Sequence, residues 1–172
     1  MNNIDTVVKT ARSKGAIGAN AIVPKKVREL ATMQDSILDF GSGPNAIHTK
    51  QLHEEGFKVV AHDFSLPRGS GHDFSFPWEH HGARLDAKYD IVFASNVLNV
   101  QPTLDMLNTT LKQIKKCTRL DGVFIWNYPV TPRKLPLSVD EMVEIVRKKF
   151  MYTEMVGGNK RAPIMASYKR LG

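Results

Sequence analysis

The stretch Ile37-Leu38-Asp39-Phe40-Gly41-Ser42-Gly43-Pro44-Asn45 decides the fold of this chain. An apolar run ends in an acid, and a glycine-rich turn follows it at once. Gly41 and Gly43 let the backbone take positive φ or approach a ligand closely. Pro44 suits the first position of a helix, which we expect to run to about residue 55 and to end at Gly56. The stretch therefore predicts a strand, a turn and a helix whose first amides can hold an anionic or polar ligand.

A second acid follows the next apolar stretch. Residues 57–61 form a short, mostly apolar strand pattern that ends in His62-Asp63, and Asp63 lies twenty-four positions beyond Asp39. An acid at the end of the second strand of a βαβ unit can accept the hydroxyls of a ribose. The alternative is a turn residue ahead of Ser65 and Pro67. With the glycine turn upstream, we favour the ribose role.

The remainder of the chain continues to alternate strands and helices. A near-continuous apolar run over 89–94 predicts a buried parallel strand. Ser138 and Glu141 form a capping box that opens the last helix. The other expected elements are a short helix from Pro24 to Leu30, a helix with Leu104, Leu107, Leu111 and Ile114 on its apolar face, a turn at 120–122, a strand over 123–126, and an antiparallel pair over 151–156 and 164–168.

The glycine turn and the apolar run resemble known motifs. Asp39-x-Gly41-x-Gly43-x-Asn45 resembles the first motif of class I S-adenosylmethionine-dependent methyltransferases, with Asn45 where a third glycine usually stands. The stretch 89–100 resembles the fourth motif of that family. The resemblance covers nearly all of the chain from Ser36 onward. It implies an α/β fold of the Rossmann-like methyltransferase type: a mostly parallel twisted sheet with helices on both faces and a C-terminal antiparallel strand pair. One domain would span 1–172, with a basic arm and short helix over 1–35 and the core over 36–172.

The resemblance also implies S-adenosylmethionine as the cofactor. Phe64 would pack on the adenine, and Asp73 would accept from its amino group, unless Asp73 belongs to a surface loop. Ser95 and Asn96 would line the methionine end. The complete set of implied cofactor-binding residues is Asp39, Gly41, Ser42, Gly43, Asn45, Asp63, Phe64, Asp73, Phe74, Ser95 and Asn96. The sequence indicates no catalytic residue and no metal ligand.

Composition points to an anionic partner. The formal net charge is +7, which favours association with nucleic acid, although a solvated basic face is the alternative. The chain has one cysteine and no apolar run of membrane length, so we expect a cytoplasmic protein without a membrane partner. The cations expected near the cofactor mouth are Lys9, Arg12, Lys14, Lys25, Lys26 and Arg28.

Three functions stay open from the sequence. The first is a methyltransferase acting on nucleic acid; the others are an inactive binding protein of the same fold and a small-molecule methyltransferase. Amino-methylating DNA enzymes carry the motif Asp/Asn-Pro-Pro-Tyr/Phe after the fourth strand, where this chain has Ser95-Asn96-Val97-Leu98. Asn127-Tyr128-Pro129 looks similar to that motif, but it follows the fifth strand, so we discount the similarity. Cys117 falls on an apolar helix face and is interpreted as a core thiol. A weaker resemblance, in Ser13-Lys14 and the stretch 97–100, is to small methyltransferase-like proteins of bacteriophages.

Overall fold

The alternation of strands and helices builds one six-stranded sheet. In a computed structural model of the chain, residues 21–43, 46–63, 87–130 and 134–170 are described. In chain order the elements are α1 (Ile22–Leu30), β1 (Ser36–Phe40), α2 (Ile47–Glu54), β2 (Lys58–His62), β3 (Tyr89–Ala94), a 3-10 turn (Leu98–Val100), α3 (Leu104–Cys117), β4 (Thr118–Asn127), α4 (Val139–Arg147), β5 (Tyr152–Gly158) and β6 (Pro163–Tyr168). The strand order is β2-β1-β3-β4-β6-β5.

Strand directions give the sheet its mostly parallel character. β2, β1, β3 and β4 run parallel to one another, whereas β6 is antiparallel to both β4 and β5. The predicted fold class, with its C-terminal antiparallel pair, is confirmed. Because side chains alternate along a strand, each strand supplies both faces of the sheet. One face packs on α3 and α4, and the other packs on α1 and α2.

The helix after the glycine turn starts later than predicted. α2 begins at Ile47, and Ala46 before it takes a left-handed conformation with φ 46°. Because a helix cannot include a residue of that conformation, the start at Pro44 was wrong for the described part; Pro44 and Asn45 themselves lie outside the described residues. The predicted end is confirmed: Gly56 has φ 97°, and its N–H donates to the His53 carbonyl at 2.9 Å.

The predicted turn at 120–122 lies inside a strand. β4 runs from Thr118 without a break, and its register against β3 shifts: Tyr89 pairs with Thr118, but Ile91 pairs with Val123. A Cβ on Gly122 would stand 2.8 Å from the Asp90 carbonyl oxygen. This glycine is therefore required by the close approach of the neighbouring strand and not by a turn.

Two predicted apolar faces need small corrections. Leu107, Leu111 and Ile114 of α3 are fully buried, but Leu104 is half exposed. In α1, Val27 is buried, whereas Leu30 is half exposed and Val23 takes its place in the core. The helix also begins two residues before Pro24. Cys117 is buried, in agreement with its interpretation as a core thiol.

The C-terminal half is fixed by two polar arrangements. Ser138 and Glu141 form the predicted capping box at the start of α4. Across the antiparallel strands, the Trp126 indole N–H donates to Ser167 Oγ at 2.9 Å, and the Ser167 hydroxyl shares a 2.8 Å hydrogen bond with Thr153. All three side chains are buried, so this chain of hydrogen bonds ties β4, β6 and β5 together. No helix in the described part of the chain is long and apolar enough to cross a membrane.

Candidate cofactor-binding site

The glycine turn after β1 is pinned to the end of β2. The N–H groups of Gly41 and Ser42 both donate to the His62 carbonyl, at 2.7 and 3.1 Å. The Gly43 N–H donates to Asp63 Oδ2 at 2.9 Å. Gly41 and Gly43 have φ of 86° and 76°, the left-handed region in which glycine pays no steric penalty. Asp63, directly after the end of β2, therefore lies beside the turn and also fixes its conformation.

Asp39, near the end of β1, links the strand before the glycine turn to the helix after it. Its side chain is 1% exposed, and Oδ2 accepts a 2.7 Å hydrogen bond from the Thr49 hydroxyl on α2. Burial raises the pKa of Asp39 to about 7, the Thr49 hydrogen bond opposes that rise, and the nearby Asp63 carboxylate adds to it. The carboxyl group thus lies close to its midpoint of ionisation near neutral pH, in contact with the protein and not with solvent.

The turn after β3 forms the opposite wall of the site. Asn96 has φ 56°, and its backbone N–H donates to Asn127 Oδ1 at 2.8 Å. The Asn127 amide in turn donates to Asn96 Oδ1, also at 2.8 Å. This reciprocal pair joins the ends of β3 and β4 and holds Asn96 in a conformation that otherwise costs about 1–2 kcal/mol. The hydroxyl of Ser95 is buried, and no hydrogen-bond partner for it is found among the described residues.

The two turns are in contact with each other. A Cβ built on Gly41 would stand 2.5 Å from Val97 Cγ2, so the residue after Asn96 packs directly on the glycine turn. β1 lies between β2 and β3 in the sheet, and the chain passes from β1 to β2 on one side before it returns to β3 on the other. Open α/β sheets bind ligands at such a reversal, outside the carboxyl ends of the strands.

The predicted residues divide into two groups. The structure brings together Asp39, Gly41, Ser42, Gly43, Asp63, Ser95 and Asn96 at this edge. Asn45, Phe64, Asp73 and Phe74 lie outside the described residues. Sequence reasoning missed Thr49 and Asn127. Asn127 is a polar residue at the end of an apolar strand, and that position could have indicated a role in the site. From the sequence, we consider Asn127 only as part of a possible DNA-enzyme motif. Within the described ranges, no group of three His, Cys, Asp or Glu side chains could hold a metal ion.

The cations of α1 are partly committed to neighbours. Lys26 Nζ lies 2.6 Å from Glu29 Oε2, and Arg28 Nε lies 2.5 Å from Glu55 Oε2 at the end of α2. Lys25 is exposed. Lys9, Arg12 and Lys14 lie outside the described residues.

Solved structures share this architecture. No protein family model matches the chain, and no curated protein does. A TehB-like SAM-dependent methyltransferase from Corynebacterium glutamicum ATCC 13032 superposes with a TM-score of 0.70 at 14% identity, over 97% of this chain and 98% of that one. DhpI in complex with SAH gives 0.65 at 13% identity, over 98% of both chains. The T. thermophilus 16S rRNA N2 G1207 methyltransferase, in complex with AdoMet and guanosine, gives 0.57 at 14% identity, over 90% of this chain and 40% of that one. The fold is therefore that of S-adenosylmethionine-dependent methyltransferases.

Proposed function

We propose that this protein is an S-adenosylmethionine-dependent methyltransferase. The observation that carries the proposal is the convergence of the glycine turn, Asp63 and the Ser95 hydroxyl at the point where the strand order reverses; within the described part of the chain, that hydroxyl has no hydrogen-bond partner. The shared fold supports it, because two of the solved structures that superpose on this chain hold SAH or AdoMet.

The residues present fit that cofactor. Asp63 is buried beside the turn and suits the ribose hydroxyls, since a carboxylate accepts hydrogen bonds from both. A buried hydroxyl without a partner is costly unless a ligand bonds to it, and the Ser95 hydroxyl has no partner in the residues that the structure describes. The cofactor supplies an activated methyl group, and the protein supplies position and exclusion of water. Asp39 with Thr49, and Asn127 with Asn96, would hold the two turns in register for that purpose.

Binding of the demethylated product, S-adenosylhomocysteine, tests the cofactor assignment directly. Titration calorimetry should detect it, and Asp63→Ala should weaken it by about 1.5–3 kcal/mol, or roughly 10- to 150-fold, the scale of a hydrogen bond to a charged group. Asp121→Ala is the matched control, because Asp121 is an exposed acid in β4, paired with Arg170, near the amino end of the sheet. An absence of binding at millimolar ligand would remove the proposal.

For the substrate, we infer a nucleic acid. The support is the net charge of +7 together with the exposed cations Lys134, Lys160 and Arg161, which follow β4 or lie in the turn between β5 and β6 at the edge that carries the site. One protein of this fold, the T. thermophilus enzyme, acts on 16S rRNA. Contacts between cations and phosphates would position such a substrate without reading its sequence.

Transfer of a radiolabelled methyl group separates the candidate functions. The purified protein is incubated with labelled cofactor and with DNA, RNA, protein and small-molecule fractions of a cell lysate. Label in a nucleic-acid fraction is the expected result, and Asp63→Ala should abolish most of it. Label in the small-molecule fraction would favour a small-molecule methyltransferase. Tight binding of S-adenosylhomocysteine without labelling of any fraction would indicate a binding protein.

A further inference from the structure

The turn between β5 and β6 is a rigid element with two cations at its tip. Asn159 and Ala162 exchange backbone hydrogen bonds at 3.2 Å, which closes a four-residue turn. Asn159 Oδ1 also accepts from the backbone N–H groups of Arg161 and Ala162, at 2.9 and 3.0 Å. Lys160 and Arg161 occupy the two central positions. Because the Lys160 and Arg161 side chains take no part in these hydrogen bonds, both charged groups are available to contact a ligand.

The turn is anchored beside the candidate cofactor site. The Val130 N–H, in the loop after β4, donates to the Arg161 carbonyl at 3.0 Å. Ile164, two residues after the turn, pairs with Asn127, and Asn127 bonds to Asn96 in the wall of the site. With strands about 4.8 Å apart, and β4 between them, the start of β6 lies roughly 10 Å from the end of β3. The turn therefore lies on the carboxyl edge of the sheet.

The charges on this turn are not compensated by any of the described residues. Within 21–43, 46–63, 87–130 and 134–170, no carboxylate pairs with Lys160 or Arg161, and both are exposed. Two cations near the amino edge have partners: Lys88 donates to the Lys116 carbonyl, and Arg119 pairs with Asp90 at 3.2 Å. Lys134 is a further exposed cation, four positions after Val130, whose N–H anchors the turn.

We propose that the turn 159–162 is the phosphate-binding element for a nucleic-acid substrate, with Arg161 and Lys160 each contacting a backbone phosphate beside the methyl-transfer site. The proposal rests on the proposed function and names two residues that would hold its substrate. Arginine presents a planar fork that matches phosphate, and lysine acts as a point charge. A turn already fixed by four hydrogen bonds loses little conformational freedom on binding.

The test compares two double variants that remove the same charge from opposite edges of the sheet. Lys160→Ala/Arg161→Ala is measured against Lys115→Ala/Lys116→Ala, whose exposed lysines lie in the last turn of α3. The probe is a fluorescent mixed-sequence single-stranded 20-mer, as DNA and as RNA, titrated by anisotropy between 0.05 and 0.3 M salt. Binding of S-adenosylhomocysteine by each variant reports whether the fold and cofactor site are intact.

The turn variant should lose about 25-fold in affinity at 0.1 M salt, since each phosphate contact contributes about fivefold there, and its log–log salt slope should flatten by about 1.4. The α3 variant should stay within about threefold of the parent. Equal losses in both variants, or none in the turn variant while the parent binds, would overturn the inference alone. A parent protein that binds no nucleic acid would overturn the proposed substrate with it. Poly-glutamate bound as tightly as the oligonucleotide would also contradict the inference, because the turn would then have no preference for phosphates.

Discussion

Replacement of Asp39 by asparagine should stabilise the protein at alkaline pH and leave it unchanged in acid. Asp39 is buried, with a folded-state pKa of about 7 against an ordinary value of 3.8. Between these two values the folded state binds the proton more tightly than the unfolded state does. Stability therefore falls as pH rises through that window and levels off above it. The difference of about 3 pH units corresponds to roughly 4 kcal/mol, an appreciable part of the 5–15 kcal/mol of a typical domain.

The amide variant keeps the geometry and removes the titration. Asparagine retains a carbonyl oxygen that can accept from Thr49, so the buried hydrogen bond survives. We expect equal free energies of unfolding for the two proteins near pH 4. At pH 8 the variant should be more stable by up to roughly 4 kcal/mol, because it has no buried carboxylate to ionise. All other titrating groups are common to both proteins, so the difference isolates Asp39.

Urea denaturation of the ligand-free protein at half-unit steps from pH 4 to pH 8 measures this difference. Thr49→Val is the companion variant. It removes the hydrogen bond that opposes the rise in the pKa of Asp39, so it should move the midpoint of the pH dependence upward. A parent and an Asp39→Asn variant whose unfolding free energies stay parallel across the whole range would refute the reasoning, since Asp39 would then ionise normally in the folded state.

Three further predictions concern the turns and the core. Gly41→Ala should destabilise the protein by about 1–3 kcal/mol in thermal unfolding and weaken cofactor binding, because its Cβ would stand 2.5 Å from Val97 Cγ2 at a positive φ; an unchanged melting temperature would contradict it. Asn127→Ala should cost about 2 kcal/mol in urea denaturation through two lost hydrogen bonds to Asn96, and should weaken S-adenosylhomocysteine binding; unaltered affinity would show that the pair does not position the site. Cys117→Ala should leave methyl transfer intact at a cost of about 1 kcal/mol, and a covalent adduct at this thiol with a pyrimidine analogue would disprove its structural role.

The sheet was predictable where local sequence and tertiary environment agree. β1 and β3 match the predicted strands, because buried parallel strands are apolar on both faces and leave a continuous signal. Leu120-Asp121-Gly122 shows the opposite case. Asp-Gly favours a turn locally, yet Gly122 is needed because the Asp90 carbonyl of the neighbouring strand approaches within 2.8 Å of where its Cβ would be. No local pattern contains that information.

The candidate site was predictable through its acids and glycines and not through their partners. Asp39, Gly41, Gly43 and Asp63 end strands or form the turn, so their positions follow from the order of elements. Their supports do not: Thr49 is one of several polar residues on α2, and its bond to Asp39 depends on how that helix docks. The same holds for Asn127, which meets Asn96 across thirty-one positions of sequence.

Trp126, whose indole N–H is hydrogen-bonded to Ser167, can serve as a fluorescent probe of the core. The chain holds two tryptophans, and Trp126 is fully buried and bonded to β6. In a Trp78→Phe background, Trp126 would be the single tryptophan and could be excited selectively over the four tyrosines, with an emission maximum that depends on its burial and on that one bond. Separation of the β5–β6 hairpin from β4 would expose the indole to water and move its emission to longer wavelength. Local opening at this end of the sheet could then be followed in real time without an attached dye.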